Sequence, residues 1–127
     1  MASITINGRE YPLCLTVAAL DDLKSRGYGL RDISKIVQPA EGESVDDVAE
    51  RTVWMLSILI REGEMHRCIL AGEGRAQSVP GYDLLARIMT PGRAMASLGI
   101  VIQAITESMH QEIEAAPPKN ADRAGLA

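Results

Sequence analysis

Few side chains in this 127-residue chain are suited to bond-making chemistry. His66 and Cys68 stand two apart, and Cys14 and His110 would complete a zinc set on paper. None of the paired CxxC or HxxxH spacings that hold structural zinc is present. As a nucleophile and base, His66 and Cys68 also fall short, because near neighbours rarely point at each other and no oxyanion loop is recognisable. The simpler reading is a buried thiol at Cys68 and a surface imidazole at His66. Gly72-Glu73-Gly74-Arg75 begins like a phosphate-cradling loop, but Gln77 stands where the next glycine belongs and no Gly-Lys-Ser/Thr follows. A surface turn is the expectation there. The acidic residues Glu41, Glu43, Asp46, Asp47 and Glu50 lack the alternate spacing and terminal glutamate of a calcium loop. Negative charge at a helix start accounts for them. The expectation is therefore no enzyme, no cofactor and no metal.

Composition narrows the class further. Hydrophobic residues make up 46% and charged residues 24%, as in an ordinary globular domain. Aromatic residues reach only 3%, with Trp54, three tyrosines and no phenylalanine, so the core must be aliphatic. Few aromatic stacking platforms and a net charge of -4 argue against nucleic acid as a partner. The most apolar segment, Ala94 to Ile102, falls short of the roughly 18–20 residues that cross a bilayer, so no membrane is expected. Two cysteines and no secretory leader fit a protein with free thiols in a reducing cytoplasm.

The elements that must position these residues follow from local pattern. Asn7-Gly8 between Ser3–Ile6 and Arg9–Leu15 predicts a β-hairpin. A helix is expected from Thr16 to Gly27, burying Val17, Leu20 and Leu23, with Asp22 and Arg26 paired one turn apart. A shorter helix over Leu30 to Val37 places Leu30, Ile33 and Val37 on one face. Ser44 caps a helix running from Val45 to about Arg61, with Gly63 as its stop. Residues 64–70 read equally as helix or extended chain. A loop over 71–81 precedes a short helix from Tyr82 to Met89. Thr90-Pro91 starts a last helix reaching about Ala115. The fold class is thus mainly α with a small N-terminal β-hairpin, in one domain over residues 1–115. Residues 116–127 are expected to form a flexible C-terminal tail.

Two apolar stretches stand out. Val53–Ile60 is apolar nearly all round, which makes that helix central to its domain or covered by a partner. Met95, Leu98, Ile102, Ile105 and Met109 keep the three-and-four rhythm of a helix packed along a neighbour. One reading packs these stretches on each other as core. The other gives part of the surface to another protein, or to a second copy of the chain, with Trp54, Met55, Met95, Leu98, Ile102 and Met109 as the candidate protein-binding residues.

The opening Ile4-Thr5-Ile6-Asn7-Gly8-Arg9-Glu10-Tyr11-Pro12-Leu13, followed by Thr16-Val17-Ala18-Ala19-Leu20-Asp21-Asp22-Leu23, resembles the tail assembly chaperones of long-tailed bacteriophages and prophages. Those begin with a short hairpin of the form I-x-I-N/D-G-K/R-x-Y-x-L and a helix of the form T/S-x-x-A-L-x-x-L. The resemblance covers about the first 25 residues in detail and the helical remainder in outline; the stretch 64–81 has no counterpart. It implies a non-enzymatic protein of the host bacterial cytoplasm that binds the tape-measure protein, the tail-tube protein or both, and is missing from the mature virion. The alternatives are a structural virion component, such as a tail-completion or connector subunit, and a small metal-dependent regulator or enzyme using His66 and Cys68.

Overall fold

Asn7 and Gly8 take φ of 51° and 79°, the pair of left-handed conformations that a two-residue hairpin turn of type I′ requires. They join β1 (Ser3–Ile6) to β2 (Arg9–Pro12), with Ile4 opposite Tyr11 and Ile6 opposite Arg9. Ile4, Ile6 and Tyr11 are buried, so one face of the hairpin is core. A two-stranded ribbon is marginal by itself; here it packs against the long helix over Val45–Leu70.

The computed structural model describes residues 1–114, and the predicted tail over 116–127 lies outside them. After the hairpin come α1 (Leu20–Ser25), a 3-10 turn over Leu30–Asp32, α2 (Ile33–Val37), α3 (Val45–Leu70), α4 (Tyr82–Ile88), α5 (Pro91–Ala96) and α6 (Leu98–Glu114). The architecture is mainly α with a small N-terminal β-hairpin, as the patterning predicts.

Several boundaries differ from expectation for identifiable reasons. The first helix is shorter, because both the Thr16 carbonyl and its Oγ1 accept from the Ala19 N–H, at 3.1 and 3.3 Å, and make a separate turn. Val17 on that turn is 73% exposed rather than buried. Arg26 lies just beyond α1, so the helical pair with Asp22 does not form. Instead Arg26 donates two hydrogen bonds to Glu50, at 2.9 and 2.7 Å, and Arg61 donates to Asp22 at 2.6 Å. The tighter winding of the 3-10 turn rotates the next segment, so that Ile36 is buried and Leu30 exposed.

The largest difference concerns α3. Ser44 caps it as predicted, its Oγ accepting from the Asp47 N–H at 3.2 Å. The helix then continues through Gly63 for 26 residues, about 39 Å at 1.5 Å per residue. Gly63 is there for close approach. A Cβ at this position would lie 1.9 Å from the Pro12 carbonyl oxygen and 2.6 Å from its carbon. The helix ends instead at Leu70, and Gly72, with φ of 71°, turns the chain just beyond it. The Gly72 N–H donates to the Ile69 carbonyl and the Glu73 N–H to the Cys68 carbonyl, at 3.1 and 3.0 Å, the paired bonds of a Schellman terminus.

The last predicted helix is two. Thr90 caps α5, its Oγ1 accepting from the Arg93 N–H at 3.2 Å, and Pro91 opens it. At Ser97, the single residue between α5 and α6, the hydroxyl donates back to the Arg93 carbonyl at 2.8 Å, the kind of side-chain bond that competes with regular helix. Between Leu98 and His110 the buried positions are Val101, Ala104 and Ile105, whereas Ile102 and Met109 are each 39% exposed. The predicted stripe is therefore rotated partly out of the core.

The core joins hairpin and helices through Leu13, Leu23, Met55, Leu56, Leu59, Ile60, Leu85 and Val101. It is aliphatic, as composition requires. Each such side chain contributes roughly 1.5–3 kcal/mol on leaving water.

The Gly63 contact yields a test. In an open helix, glycine to alanine stabilises by up to about 1 kcal/mol, and that is the outcome expected for Gly99→Ala in α6, where a Cβ meets nothing within 4 Å. Gly63→Ala has the opposite sign, a loss of about 3 kcal/mol as the hairpin is pushed from α3. Chemical denaturation of both variants measures the contrast.

Candidate functional site

The residues with chemical potential lie apart. Cys68 is buried on α3, where its thiol donates to the Glu73 carbonyl at 3.2 Å. His66 is half-buried on the same helix, and positions two apart on a helix do not face each other. Cys14 follows β2, with its Sγ 3.9 Å from the Ser108 hydroxyl, and burial pushes its thiol up from the usual range. His110 is exposed on α6. Among the described residues no group of three or more His, Cys, Asp or Glu is gathered as a metal would need. No single helix among them is long and apolar enough to cross a membrane.

The charged side chains form clamps. Glu64 is only 4% exposed. It accepts from Arg67 Nε and Nη2 at 2.8 and 2.6 Å and from the Gln77 N–H at 2.7 Å. Arg67 also bonds Glu73 at 2.8 and 2.9 Å. Arg9 reaches from β2 to the Ser78 carbonyl and to Gln77 Oε1, at 2.9 and 2.8 Å. These bonds hold the loop 71–81 against the end of α3 and the hairpin. The Gly72-Glu73-Gly74-Arg75 run is thus a helix terminus and a strap. A second clamp joins Arg51, 8% exposed, to Glu43 and, at 3.1 Å, to the Ile36 carbonyl, tying the segment before α3 to α2.

The predicted binding residues are a matter of surface shape. Of the predicted binding residues, Met55 is fully buried and Trp54 is 9% exposed. Trp54 packs against Tyr28 with ring centroids 6.0 Å apart, and Arg26 covers it at 4.3 Å. Both belong to the core, which corrects their assignment to a free surface. Met95 and Leu98 are half-buried, and Ile102 and Met109 reach solvent. Met109 lines a crevice with Leu15, Val17, Leu20 and Leu30. Leu84 and Ile88 on α4 are exposed beside a trough of about 300 Å³ between hairpin and loop. These aliphatic positions were not singled out by sequence as a surface. The adjacent pair Leu84-Leu85 was the available signal, since a helix turns 100° per residue and cannot bury both equally; Leu85 is the buried one.

Compared with known families, with characterised proteins and with solved structures, the chain matches none.

Two outcomes follow. Met55→Ala opens a cavity and costs about 2–5 kcal/mol, whereas Ile102→Ala, at a solvent-facing position, costs less than about 1 kcal/mol; thermal denaturation separates them. The second concerns acid. Arg67 beside Glu64 holds that carboxyl at about 2, below the ordinary 4.5. A depressed carboxylate stabilises the fold above its unfolded pKa, and that contribution disappears as pH falls from about 4.5 to about 2. Glu64→Gln is less stable than the parent at pH 7, and the two stability curves converge on approaching pH 2.

Proposed function

We propose that this chain is a phage or prophage tail assembly chaperone, a non-enzymatic protein that holds the tape-measure protein, with or without tail-tube subunits, in the host bacterial cytoplasm during tail morphogenesis. The observation carrying the reading is the opening itself. Ser3–Pro12 forms a hairpin on an Asn7-Gly8 turn, followed by α1, in the order the resemblance implies.

The surface chemistry supports the same reading. A chaperone must cover apolar client segments reversibly, which aliphatic side chains at a crevice or groove accomplish without demanding exact polar partners. Val17, Leu30, Leu84, Ile88, Ile102 and Met109 all reach solvent. No cofactor enters this function. Weak contacts repeated along one long client, strengthened by self-association of the chaperone, would raise occupancy through effective concentration.

Co-expression with a tape-measure protein from the same genome is the test. The client is expected to become soluble and to co-purify with this chain, and a client equally insoluble with or without it refutes the chaperone. Mass spectrometry of purified particles is expected to find the client and not this chain. Stoichiometric presence in particles would favour a tail-completion or connector subunit instead.

A further inference from the structure

We propose that Asn7-Gly8 is a deamidation site that the folded hairpin holds shut, and that its isoaspartate product leaves the hairpin unable to close again. The reactants are the side-chain amide of Asn7, the backbone amide of Gly8 and solvent water.

The groups are in place and accessible. Asn7 and Gly8 are both exposed at the hairpin tip, and a Cβ at Gly8 would meet nothing within 4 Å, so the attacking residue is unhindered. In the reaction the Gly8 nitrogen bonds to Asn7 Cγ. The Cγ–Nδ2 bond breaks, and ammonia leaves with the proton that the Gly8 amide gives up. The five-membered imide so formed takes up one water. Addition at Cγ breaks the new bond to nitrogen and gives aspartate. Addition at the backbone carbonyl carbon breaks the original peptide bond and gives isoaspartate, whose main chain runs through Cβ and Cγ. Neither route needs an oxidant or a reductant.

The turn prevents the first step. Asn7 has φ of 51°, and in that left-handed well ψ is about +47°. The Gly8 nitrogen then stands anti to Asn7 Cβ about the Cα–C bond, on the side away from the carboxamide. Ring closure needs the two eclipsed, so nitrogen and Cγ meet only when the turn opens. Two arginines hold it closed. Arg93 donates from α5 to the Thr5 carbonyl on β1, at 2.6 Å. Arg9 on β2 donates to the Ser78 carbonyl and Gln77 Oε1, at 2.9 and 2.8 Å. Each strand is thus tied to the body of the domain beside the tip. Opening and closing of such a segment is fast against deamidation, so the rate follows the open fraction.

The two products differ in consequence. Asp-Gly suits the type I′ turn as Asn-Gly does, so the aspartate chain closes again. Isoaspartate adds a backbone carbon between Ile6 and Arg9, the pair that ends the ladder. The turn no longer spans them, and the register that buries Ile4, Ile6 and Tyr11 is lost.

The test incubates the full chain in mildly alkaline buffer, folded and in denaturing urea. Peptide mass spectrometry follows Asn7, and labelling by an isoaspartyl methyltransferase counts isoaspartate. The folded chain is expected to deamidate at least tenfold more slowly than the urea-unfolded one. Arg9→Ala/Arg93→Ala is expected to raise the folded rate at least fivefold and to leave the rate in urea unchanged. Amide exchange then compares refolded products. Asn7→Asp is expected to protect β1 as the parent does, whereas the isoaspartate fraction of chain aged in urea and refolded loses that protection. Equal rates in folded and unfolded parent, a comparison that needs no variant, overturn the proposal. So does a folded rate unmoved by the arginine substitutions, or an isoaspartate chain with β1 as protected as in the parent.

Discussion

The structure depends on one close contact: the end of β2 lies directly against the backbone of α3 at Gly63. No side chain fits between the Pro12 carbonyl and the helix. Two residues on, just past the strand, the Cys14 N–H donates to the Leu59 carbonyl at 3.2 Å, so the chain leaving β2 is hydrogen-bonded to the helix it crosses. Leu13, 1% exposed, is thereby set into the core beside Leu59 and Ile60. The hairpin could not persist alone in water, and the crossing supplies the surface that buries Ile4, Ile6 and Tyr11. It also places β1 against α6, where Glu107 accepts from the Ala2 N–H at 2.6 Å and Ser108 from the Leu15 N–H at 2.9 Å.

From that contact the remaining surfaces are determined. With α3 covered by hairpin, α4, α5 and α6, its apolar middle serves the domain itself, and Met55 and Leu56 have no exposure left to offer a partner. Buried charges are retained only in satisfied clusters, as Glu64 is by Arg67 and Gln77, since an unpaired buried carboxylate would be too costly. Those clusters turn what reads as a loose glycine-bearing loop into the wall of a trough. The exposed aliphatic side chains are then the ones left over after packing, on α4, on the turn before α1, at Leu30, along one edge of α6 and at the two ends of α3, where Val45, Ile69 and Leu70 reach solvent.

Much of this was legible in advance where the signal was local. The hairpin, the Ser44 and Thr90 caps, the span of α4 and the aliphatic core all follow from turn chemistry, capping and composition. The errors share a cause. Gly63 has the same composition signal whether it ends a helix or admits a neighbouring backbone. Asp22 and Arg26 have ideal spacing for each other until partners on α3 compete. The rhythm of Met95 to Met109 does not reveal that the face in the core is the adjacent one, Ala94, Ser97, Val101 and Ala104. The candidate site suffered most, because Trp54 and Met55 look equally like core or contact surface until their neighbours are present.

The sequence by itself determined the element types, the turn that makes the hairpin, the aliphatic nature of the interior and the lack of paired metal-ligand spacings, since each depends on residues close along the chain. Tertiary structure alone decided which glycine ends α3, which arginine meets which carboxylate, and which apolar side chains remain in water. Several of those outcomes turn on contacts between residues far apart along the chain, such as Arg26 with Glu50, Asp22 with Arg61 and Ala2 with Glu107, 24, 39 and 105 positions apart, and at such separations neither spacing nor propensity carries the information.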